Sequence, residues 1–346
     1  MRILLGMSGG VDSSYAALKL KESGHAVEGA VLLMHEYTEI DAARAAAESV
    51  GIPLHVIDAR ERFEKIVVNN FVSEYSAGRT PNPCIICNSE VKFRILCDFA
   101  RENGFDKIAT GHYARIEEVK TAKGNRFALK YSLDERKDQT YMLWRLPQDI
   151  LSMLILPLSD LKKEEIRRDS QERGLFAADR ADSQEICFIP DGDYASYIEN
   201  RVGEFPEGDF VDSDGNILGK HNGFIRYTVG QRKGLGIALG SRAFVTEINP
   251  ETNRIVLSTS PEYPQNFVLS GAVFQGMTEP APGTEIELGV KIRYTAPRTL
   301  ARVTFLGSGN AVVQLSENKR ALTPGQSAVF YDGDLLLFGG FITTLL

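Results

Sequence analysis

The sequence predicts an α/β N-terminal domain with a doubly wound parallel sheet, followed by all-β, barrel-like central and C-terminal domains. Over residues 1–112, short apolar runs alternate with segments of helical periodicity, which is typical of a parallel sheet covered by helices. Past residue 203 or so, short β-rich runs follow one another between Gly, Pro, Asn and Asp. The 346 residues exceed one average domain. We expect domains at 1–202, 203–262 and 263–346.

The composition is that of an ordinary globular protein, with 43% hydrophobic and 25% charged residues. The net charge of −7 argues against a surface that binds nucleic acid all over, although a local basic face remains compatible with it. Four cysteines are too few for a disulfide scaffold, and no apolar run is long enough to span a membrane. We therefore expect a cytoplasmic protein that does not enter the membrane.

The first half of the chain supplies the elements of the parallel sheet. We predict strands at 3–5, 27–34, 53–57 and 107–110, and helices at 15–20, 41–50, 63–75, 88–102 and 161–173. Ligands bind beyond the carboxyl ends of such strands. We therefore expect the loops at 6–13 and 110–113 to face one another across one site. A polar loop is expected at 178–186.

The second half reads as one or two small barrels or sandwiches, divided near 260–264. The predicted strands are 224–229, 243–248, 254–258, 267–274, 285–294, 301–305, 311–315, 327–331 and 335–338. Basic residues gather in both parts, and they are Lys220, Arg226, Arg232, Lys233, Lys291, Arg293, Arg298 and Arg302. Such residues suit RNA phosphates, but a solvated barrel face explains any one of them equally well.

A glycine-rich turn between the first strand and the first helix is the strongest local signal. It consists of Gly6, Met7, Ser8, Gly9, Gly10, Val11, Asp12 and Ser13. A helix N-terminus offers unpaired N–H groups and a positive dipole end, and adjacent glycines let an anion approach the backbone. The turn is not a Walker A loop, because no Gly-Lys-Ser/Thr ends it. It predicts a phosphate site rather than a simple helix cap.

Three of the four cysteines lie in polar settings. Cys84 and Cys87 form a CxxC pair in a proline-bounded loop before a helix, where we expect a lowered thiol pKa, and Cys187 lies in a second polar segment. Cys97 falls on an apolar helix face and reads as a core residue. The three polar cysteines suit either sulfur transfer through a persulfide or ligation of a metal or iron–sulfur centre, and inert burial is the third possibility.

The loop resembles the Ser-Gly-Gly-x-Asp-Ser motif of the PP-loop ATP pyrophosphatase superfamily, and the whole chain closely resembles the tRNA-specific 2-thiouridylases. The matching blocks are 6–14, 77–93, 109–115, 137–141, 182–189, 227–236, 293–298 and 324–331. The resemblance implies a sulfurtransferase that adenylates O2 of the wobble uridine in a tRNA anticodon loop and replaces it with sulfur. It also implies ATP and Mg²⁺ as cofactors and a persulfide or sulfur-relay protein as donor.

The resemblance also implies roles for individual residues. Cys187 would carry the persulfide, and Cys87 would be the second catalytic thiol, which closes the cycle through a transient disulfide with Cys187. ATP would contact the glycine-rich turn together with Leu32 and Gly111. The residues implied to contact tRNA are Asn82, Pro83, Cys84, His112, Lys137, Asp138, Gln139, Arg293, Tyr294 and Gln326.

The chain departs from the family pattern at three places. Cys84 stands where the family usually has an Asp able to act as acid or base, and this change creates the CxxC pair. The segment 34–38 is short, and Leu32 replaces a common Met. The CxxC pair keeps a second mechanism open, with a 4Fe-4S cluster on Cys84, Cys87 and Cys187. Another PP-loop adenylating enzyme and a non-catalytic tRNA-binding module are the remaining alternatives.

Overall fold

The computed structural model describes the chain except for residues 122, 177–185, 238–239 and 318–320. All but the last residue of the polar loop expected at 178–186 lies outside this part. None of the described helices is long and apolar enough to cross a membrane.

The N-terminal half contains most of the helices. Its strands are β1 (Arg2–Gly6), β2 (Ala26–Leu33), β3 (Leu54–Asp58), β4 (Lys107–Thr110), β5 (Arg115–Thr121), β6 (Gly124–Lys130) and β7 (Leu154–Ile155). Its helices are α1 (Val11–Glu22), α2 (Ile40–Val50), α3 (Arg60–Phe63), α4 (Asn69–Ser76), α5 (Pro83–Ile86), α6 (Phe93–Glu102), α7 (Thr140–Leu143), α8 (Gln148–Leu151), α9 (Lys163–Glu172) and α10 (Tyr194–Val202). Two π-helical segments, Glu64–Val68 and Cys87–Lys92, interrupt the helices predicted at 63–75 and 88–102.

Five of these strands form the predicted parallel sheet, in the order β3-β2-β1-β4-β7. Strand β1 shows why helices cover both faces. Ile3 and Leu5 pack into the core on the α1 and α2 side, whereas Leu4 packs with the α4 and α6 side, and all three are fully buried. A strand buried on both faces is the signature of a doubly wound sheet, so the fold-class prediction is confirmed.

The remaining strands form the β-rich part. They are β8 (Gly208–Val211), β9 (Ile217–His221), β10 (Phe244–Asn249), β11 (Arg254–Ser258), β12 (Asn266–Phe274), β13 (Glu285–Lys291), β14 (Thr299–Gly307), β15 (Asn310–Leu315), β16 (Ser327–Asp332) and β17 (Leu335–Leu345). Strands β8 to β11 form one small sheet. The strand predicted at 224–229 is wrong, because a 3₁₀ turn occupies Phe224–Arg226 there.

The C-terminal strands close into a six-stranded barrel. The order is β12-β15-β14-β13-β16-β17, and β12 pairs with β17 to complete the ring. The β5–β6 hairpin of the N-terminal half extends the same sheet, with Leu335 opposite Lys130. The expected barrel is confirmed, and the hairpin attaches the α/β domain to it.

Candidate active site

The glycine-rich turn lies at the carboxyl end of β1, and Gly10 forms the N-cap of α1. Gly9 has a φ of +77°, and a Cβ atom there would lie 2.8 Å from the backbone of Ala42 and Ala43. The Ser13 hydroxyl donates to the Gly10 carbonyl at 3.0 Å and accepts from the Ser8 amide at 3.3 Å. The turn is therefore ordered around an open helix N-terminus, which is the geometry that an anion requires.

The loop after β4 packs directly against this turn. A Cβ atom on Gly111 would lie 2.9 Å from the Asp12 carbonyl carbon and 3.0 Å from the Ser13 nitrogen. The hydroxyl of Tyr113 donates to Oδ1 of Asp12 at 2.6 Å. The two loops thus meet at one site, as the order of strands predicts.

Lys163, at the start of α9, reaches the same carboxylate. Its Nζ lies 2.8 Å from Oδ1 and 2.7 Å from Oδ2 of Asp12, and only 6% of its side chain is exposed. The residues of the two loops, 6–13 and 110–113, include no Lys or Arg. Lys163 therefore brings an ammonium group to a loop whose own donors are N–H groups and hydroxyls.

The thiol loop, residues 78–87, runs from the end of α4 to the π-helical segment. The Asn82 side chain accepts from the Cys84 amide at 3.2 Å and so caps α5, with Pro83 at its first position. The Nζ of Lys92 donates to Oδ1 of Asn88 at 3.1 Å, and Asn88 donates to the Met142 carbonyl at 3.1 Å. The π-helical segment therefore has Cys87 at one end and an anchored lysine at the other.

Burial dominates the acidity of the thiols. It raises the pKa of Cys87 to about 12 and that of Cys187 to about 11, and it also raises the pKa of Cys84, although both Cys84 and Cys187 are partly open to solvent. The lowered pKa expected for Cys84 and Cys87 is wrong, since α5 is only four residues long and desolvation outweighs its N-terminal charge. The Lys92 charge lowers all three values.

The three thiols interact electrostatically with one another, and all are free. Cys87 is buried, with its Sγ 3.8 Å from the Met34 sulfur. Within the described residues, no group of three or more His, Cys, Asp or Glu side chains is arranged to hold a metal ion. Cys84, Cys87 and Cys187 are therefore not arranged as a ready ligand set for a cluster. Cys97 is fully buried on α6, as predicted.

The charge of Lys92 predicts a pH effect on thiol reactivity. Because an ammonium group favours the thiolate, we expect Lys92→Met to move the midpoint of Cys187 alkylation upward by roughly half a pH unit. Iodoacetamide labelling across a pH series, read by peptide mass spectrometry, measures this midpoint. Lys65→Met, which alters an exposed lysine of the other π-helical segment, is the control. An unchanged Cys187 profile in Lys92→Met would contradict this assignment.

Two further predicted residues border the site. His112 accepts from or donates to the Thr110 hydroxyl through Nδ1 at 2.8 Å, and desolvation lowers its pKa to about 3, so its imidazole is neutral. Its ring lies 5.5 Å from that of Phe93, and Lys92 also acts on its charge. Leu32 is 7% exposed near the end of β2. His112 therefore lies between the loop after β4 and the end of the π-helical segment that begins at Cys87.

Comparisons with known proteins cover the chain from end to end. Three family profiles match in succession, described as a tRNA methyl transferase HUP domain (residues 1–191), a tRNA methyl transferase PRC-barrel domain (195–259) and an aminomethyltransferase β-barrel domain (267–342). The tRNA-specific 2-thiouridylase MnmA of Lachnoclostridium phytofermentans is 43% identical over 99% of both chains. The chain belongs to the tRNA-specific 2-thiouridylase family.

Other 2-thiouridylases match equally well. The proteins of that name from Acetivibrio thermocellus and Clostridium botulinum strain Alaska E43 are 43% and 41% identical. They align over 99% and 100% of this chain, and over 99% and 98% of their own lengths. This 2-thiouridylase is thus matched over the full length of its relatives. 

The family pattern assigns residues 137–139 and several residues of the C-terminal domain to contact with tRNA. Asp138 of this 2-thiouridylase is 5% exposed, accepts from the Thr140 hydroxyl at 2.6 Å, and has its pKa raised to about 6 by burial. Gln139 accepts from the Tyr113 amide at 3.0 Å. Lys137 is half-buried beside them. Gln139 therefore supports the loop after β4, whereas Asp138 accepts hydrogen bonds from Ser132 and Thr140, and the contact of both residues with tRNA stays a prediction.

Two of the predicted tRNA contacts in the C-terminal domain, Arg293 and Gln326, form hydrogen bonds with residues of the other domains. Arg293 donates to the Val229 carbonyl at 2.9 Å and to the Thr323 hydroxyl. The Gln326 amide donates to the Thr80 carbonyl at 2.7 Å. Tyr294 is half-buried, with Lys291 Nζ 5.6 Å from its ring centre. These residues join the barrel to the other two domains, so a contact with tRNA, which stays a prediction, would fall on the same junction.

Sequence reasoning missed Lys163 and Lys92. Lys163 lies in a predicted helix whose sequence is charged and amphipathic, and nothing near it in sequence indicates a carboxylate 151 positions away. Lys92 had a weak signal, since it stands five residues after Cys87. That spacing places two residues close together only in a π-helical turn, and the sequence gives no sign of one.

Proposed function

We propose that this 2-thiouridylase replaces O2 of the wobble uridine in tRNA with sulfur, at the expense of ATP. The observation that carries the proposal is that the ring of His112, in the loop that packs on the glycine-rich turn, lies 5.5 Å from the ring of Phe93, which directly follows the π-helical segment Cys87–Lys92. This contact supports a single site that includes both the glycine-rich turn and the cysteines. A nucleotide bound at the turn and a base beside the thiols would lie within reach of each other.

In the first step, uridine O2 attacks the α-phosphate of ATP, and pyrophosphate leaves. The N–H groups of Gly9, Gly10 and Val11 and the hydroxyls of Ser8 and Ser13 would bind phosphate oxygens. Lys163 would exchange part of its pairing with Asp12 for the β- and γ-phosphates, which need a cation as negative charge leaves the α-phosphate. Leu32 and Gly111 would border the nucleoside.

The site could bind Mg²⁺ through one carboxylate of the protein and the phosphate oxygens of the substrate. Asp12 is 31% exposed at the first turn of α1, and Mg²⁺ in such sites is bound by one or two carboxylates and by phosphate oxygens. The ion would neutralise phosphate charge. Within the chain, Asp12 would bind the ion while Tyr113 keeps its hydrogen bond to Oδ1.

In the second step, the terminal sulfur of a Cys187 persulfide attacks C2 of the adenylated uridine. The C2–O bond breaks and AMP leaves with the oxygen. The Cys87 thiolate then attacks the Cys187 sulfur, the S–S bond to the base breaks, and 2-thiouridine is released. A disulfide between Cys87 and Cys187 remains, and an external dithiol reduces it.

The position of Cys84 gives it a proton-transfer role in this scheme. Its thiol stands where a carboxylate is usual, and its raised pKa means that it starts protonated. It can therefore donate a proton but needs the Lys92 charge to become a base. Asn82, which caps α5, and Pro83, at the first position of that helix, would hold Cys84 beside the target base.

The partners follow from the same scheme. The anticodon loop of a tRNA would lie across the thiol loop and the barrel, near His112, Lys137, Arg293, Tyr294 and Gln326. A persulfide-bearing or sulfur-relay protein would charge Cys187, which is exposed. A cytoplasmic location remains a prediction.

Thiolation of tRNA in vitro tests this proposal. We expect the protein, with Mg-ATP and a persulfide donor, to form 2-thiouridine in tRNA that lacks the modification, as read by mass spectrometry of nucleoside digests. Omission of ATP is the control. If pyrophosphate release depends on tRNA but no sulfur reaches the base, a different PP-loop adenylating reaction would replace this assignment.

A further inference from the structure

The thiol loop is fixed by the C-terminal barrel domain as well as by its own domain. The Thr80 amide donates to the Pro324 carbonyl at 3.0 Å, and the Gln326 side chain donates to the Thr80 carbonyl at 2.7 Å. Both backbone groups of Thr80 are therefore paired with one turn, residues 323–326, which precedes β16. This turn lies more than 240 positions away in the sequence.

Gly325 makes this contact possible. Its φ is +89°, and a Cβ atom there would lie 3.1 Å from the N, C and O atoms of Thr80. L-residues rarely adopt that conformation, and the crowding atoms belong to backbone that cannot swing away. The backbone of the turn and that of the thiol loop are therefore in direct contact, with no room for a side chain at position 325.

The central domain contacts the same stretch from another side. A Cβ atom on Gly78 would lie 2.7 Å from Cγ of Pro250, and the Thr80 hydroxyl donates to the Thr228 hydroxyl at 3.4 Å. Arg293 links the barrel to the Val229 carbonyl next to Thr228. Residues 78–80 are therefore enclosed by both C-terminal domains.

A shift at Thr80 has a short, stiff path to the thiols. Only Pro81, Asn82 and Pro83 separate Thr80 from Cys84. Proline fixes φ at two of these three positions, and Asn82 is tied to the Cys84 amide. Pro81 and Pro83 are also buried. The segment has few ways to absorb a displacement before it reaches α5 and Cys87.

We propose that the turn around Gly325 is a positioning element for the thiol loop, which sets where Cys84 and Cys87 stand. The barrel domain then takes part in the geometry of sulfur transfer, in addition to any contact with RNA. This inference rests on the proposed function for its catalytic consequence, but the position of the thiols can be tested without it.

The test compares two glycines of the same domain. Gly325→Ala adds a methyl group against Thr80, whereas Gly333→Ala adds one at another glycine of positive φ, +55°, with no atom within 4 Å, so it changes a positive-φ glycine of the same domain without the contact. We would measure alkylation rates of Cys84 and Cys187 by iodoacetamide without tRNA, then the thiolation rate constant and the affinity for tRNA.

We expect Gly325→Ala to change the Cys84 alkylation rate several-fold and to leave that of Cys187 unchanged. Its kcat for thiolation should fall about tenfold, with tRNA affinity within threefold of wild type, and Gly333→Ala should match wild type. If Gly325→Ala does not fold, Gln326→Leu, which removes the hydrogen bond to Thr80, takes its place in the alkylation measurement alone, because Gln326 is itself a proposed tRNA contact.

Two results would overturn the inference. Unchanged Cys84 alkylation in both Gly325→Ala and Gln326→Leu would show that the turn does not position the thiols. A loss of thiolation matched by an equal loss of tRNA affinity would show that the turn acts through RNA binding alone. The alkylation measurement needs neither ATP nor tRNA, so it is independent of the proposed reaction.

Discussion

Replacing Cys187 with Ser abolishes tRNA thiolation in the proposed mechanism and leaves tRNA affinity within a few-fold of wild type. A serine hydroxyl cannot carry a persulfide. The exposed side chain of Cys187 would be only one of many contacts with tRNA, so its replacement should change tRNA affinity little. Loss should exceed about 1,000-fold, as expected when the nucleophile of a covalent mechanism is removed. The measurement is 2-thiouridine formed per minute, with tRNA binding measured by filter retention.

Cys97→Ala is the matched control for Cys187→Ser. Cys97 is fully buried on α6, so its loss should cost about 1 kcal/mol of stability by leaving a small cavity, and activity should remain near wild type. Full turnover by Cys187→Ser would remove Cys187 from the mechanism. A folded but inactive Cys97→Ala would place a functional thiol on α6 instead.

Replacing Lys163 with Met should lower tRNA-dependent pyrophosphate release by about 100-fold. The ammonium group is the basic side chain that the fold brings to the glycine-rich turn, and Met keeps the length of the side chain while removing its charge. Asp12→Asn should give a loss of similar size, because it removes the carboxylate that Lys163 and Tyr113 share. Radiolabelled ATP measures pyrophosphate directly.

Lys162→Met controls for the Lys163 change, since Lys162 is the adjacent residue and is exposed. The double variant Asp12→Asn with Lys163→Met should lose little more than either single variant, because the two side chains are in direct contact and both act on the charge of the same phosphate groups. Pyrophosphate release at the wild-type rate in Lys163→Met would show that Lys163 stabilises the fold alone. Thermal unfolding of each variant separates loss of activity from loss of structure.

The sequence predicted those parts of the fold that depend on local pattern. Apolar runs such as 3–5, followed by glycine and a helix, placed β1, the turn and α1 correctly. The hairpin of β5 and β6 was missed because its strands are rich in charged residues, as in the Arg115–Thr121 segment. Its strand character comes from the pairing of β5 with β6 and from the pairing of Lys130 with Leu335 of the barrel, which no local pattern encodes.

The site was predicted where motifs are continuous and missed where they are not. The turn and the CxxC pair were found because their residues are neighbours in the sequence. Lys163 was missed because its pairing with Asp12 depends on how α9 docks. The expected acidity of Cys84 and Cys87 was wrong because burial, which a local motif does not reveal, outweighed the helix N-terminus.

A single turnover by protein purified without oxygen tests most directly whether Cys187 carries a persulfide. Iron and labile sulfide are measured on the same sample. Iron-free protein is first charged by a persulfide donor and then mixed with tRNA and Mg-ATP. If Cys187 carries the persulfide, 2-thiouridine forms in an amount equal to the sulfur bound at Cys187. The contradicting result is iron-free, charged protein that transfers no sulfur, while protein loaded with iron and sulfide thiolates the same tRNA.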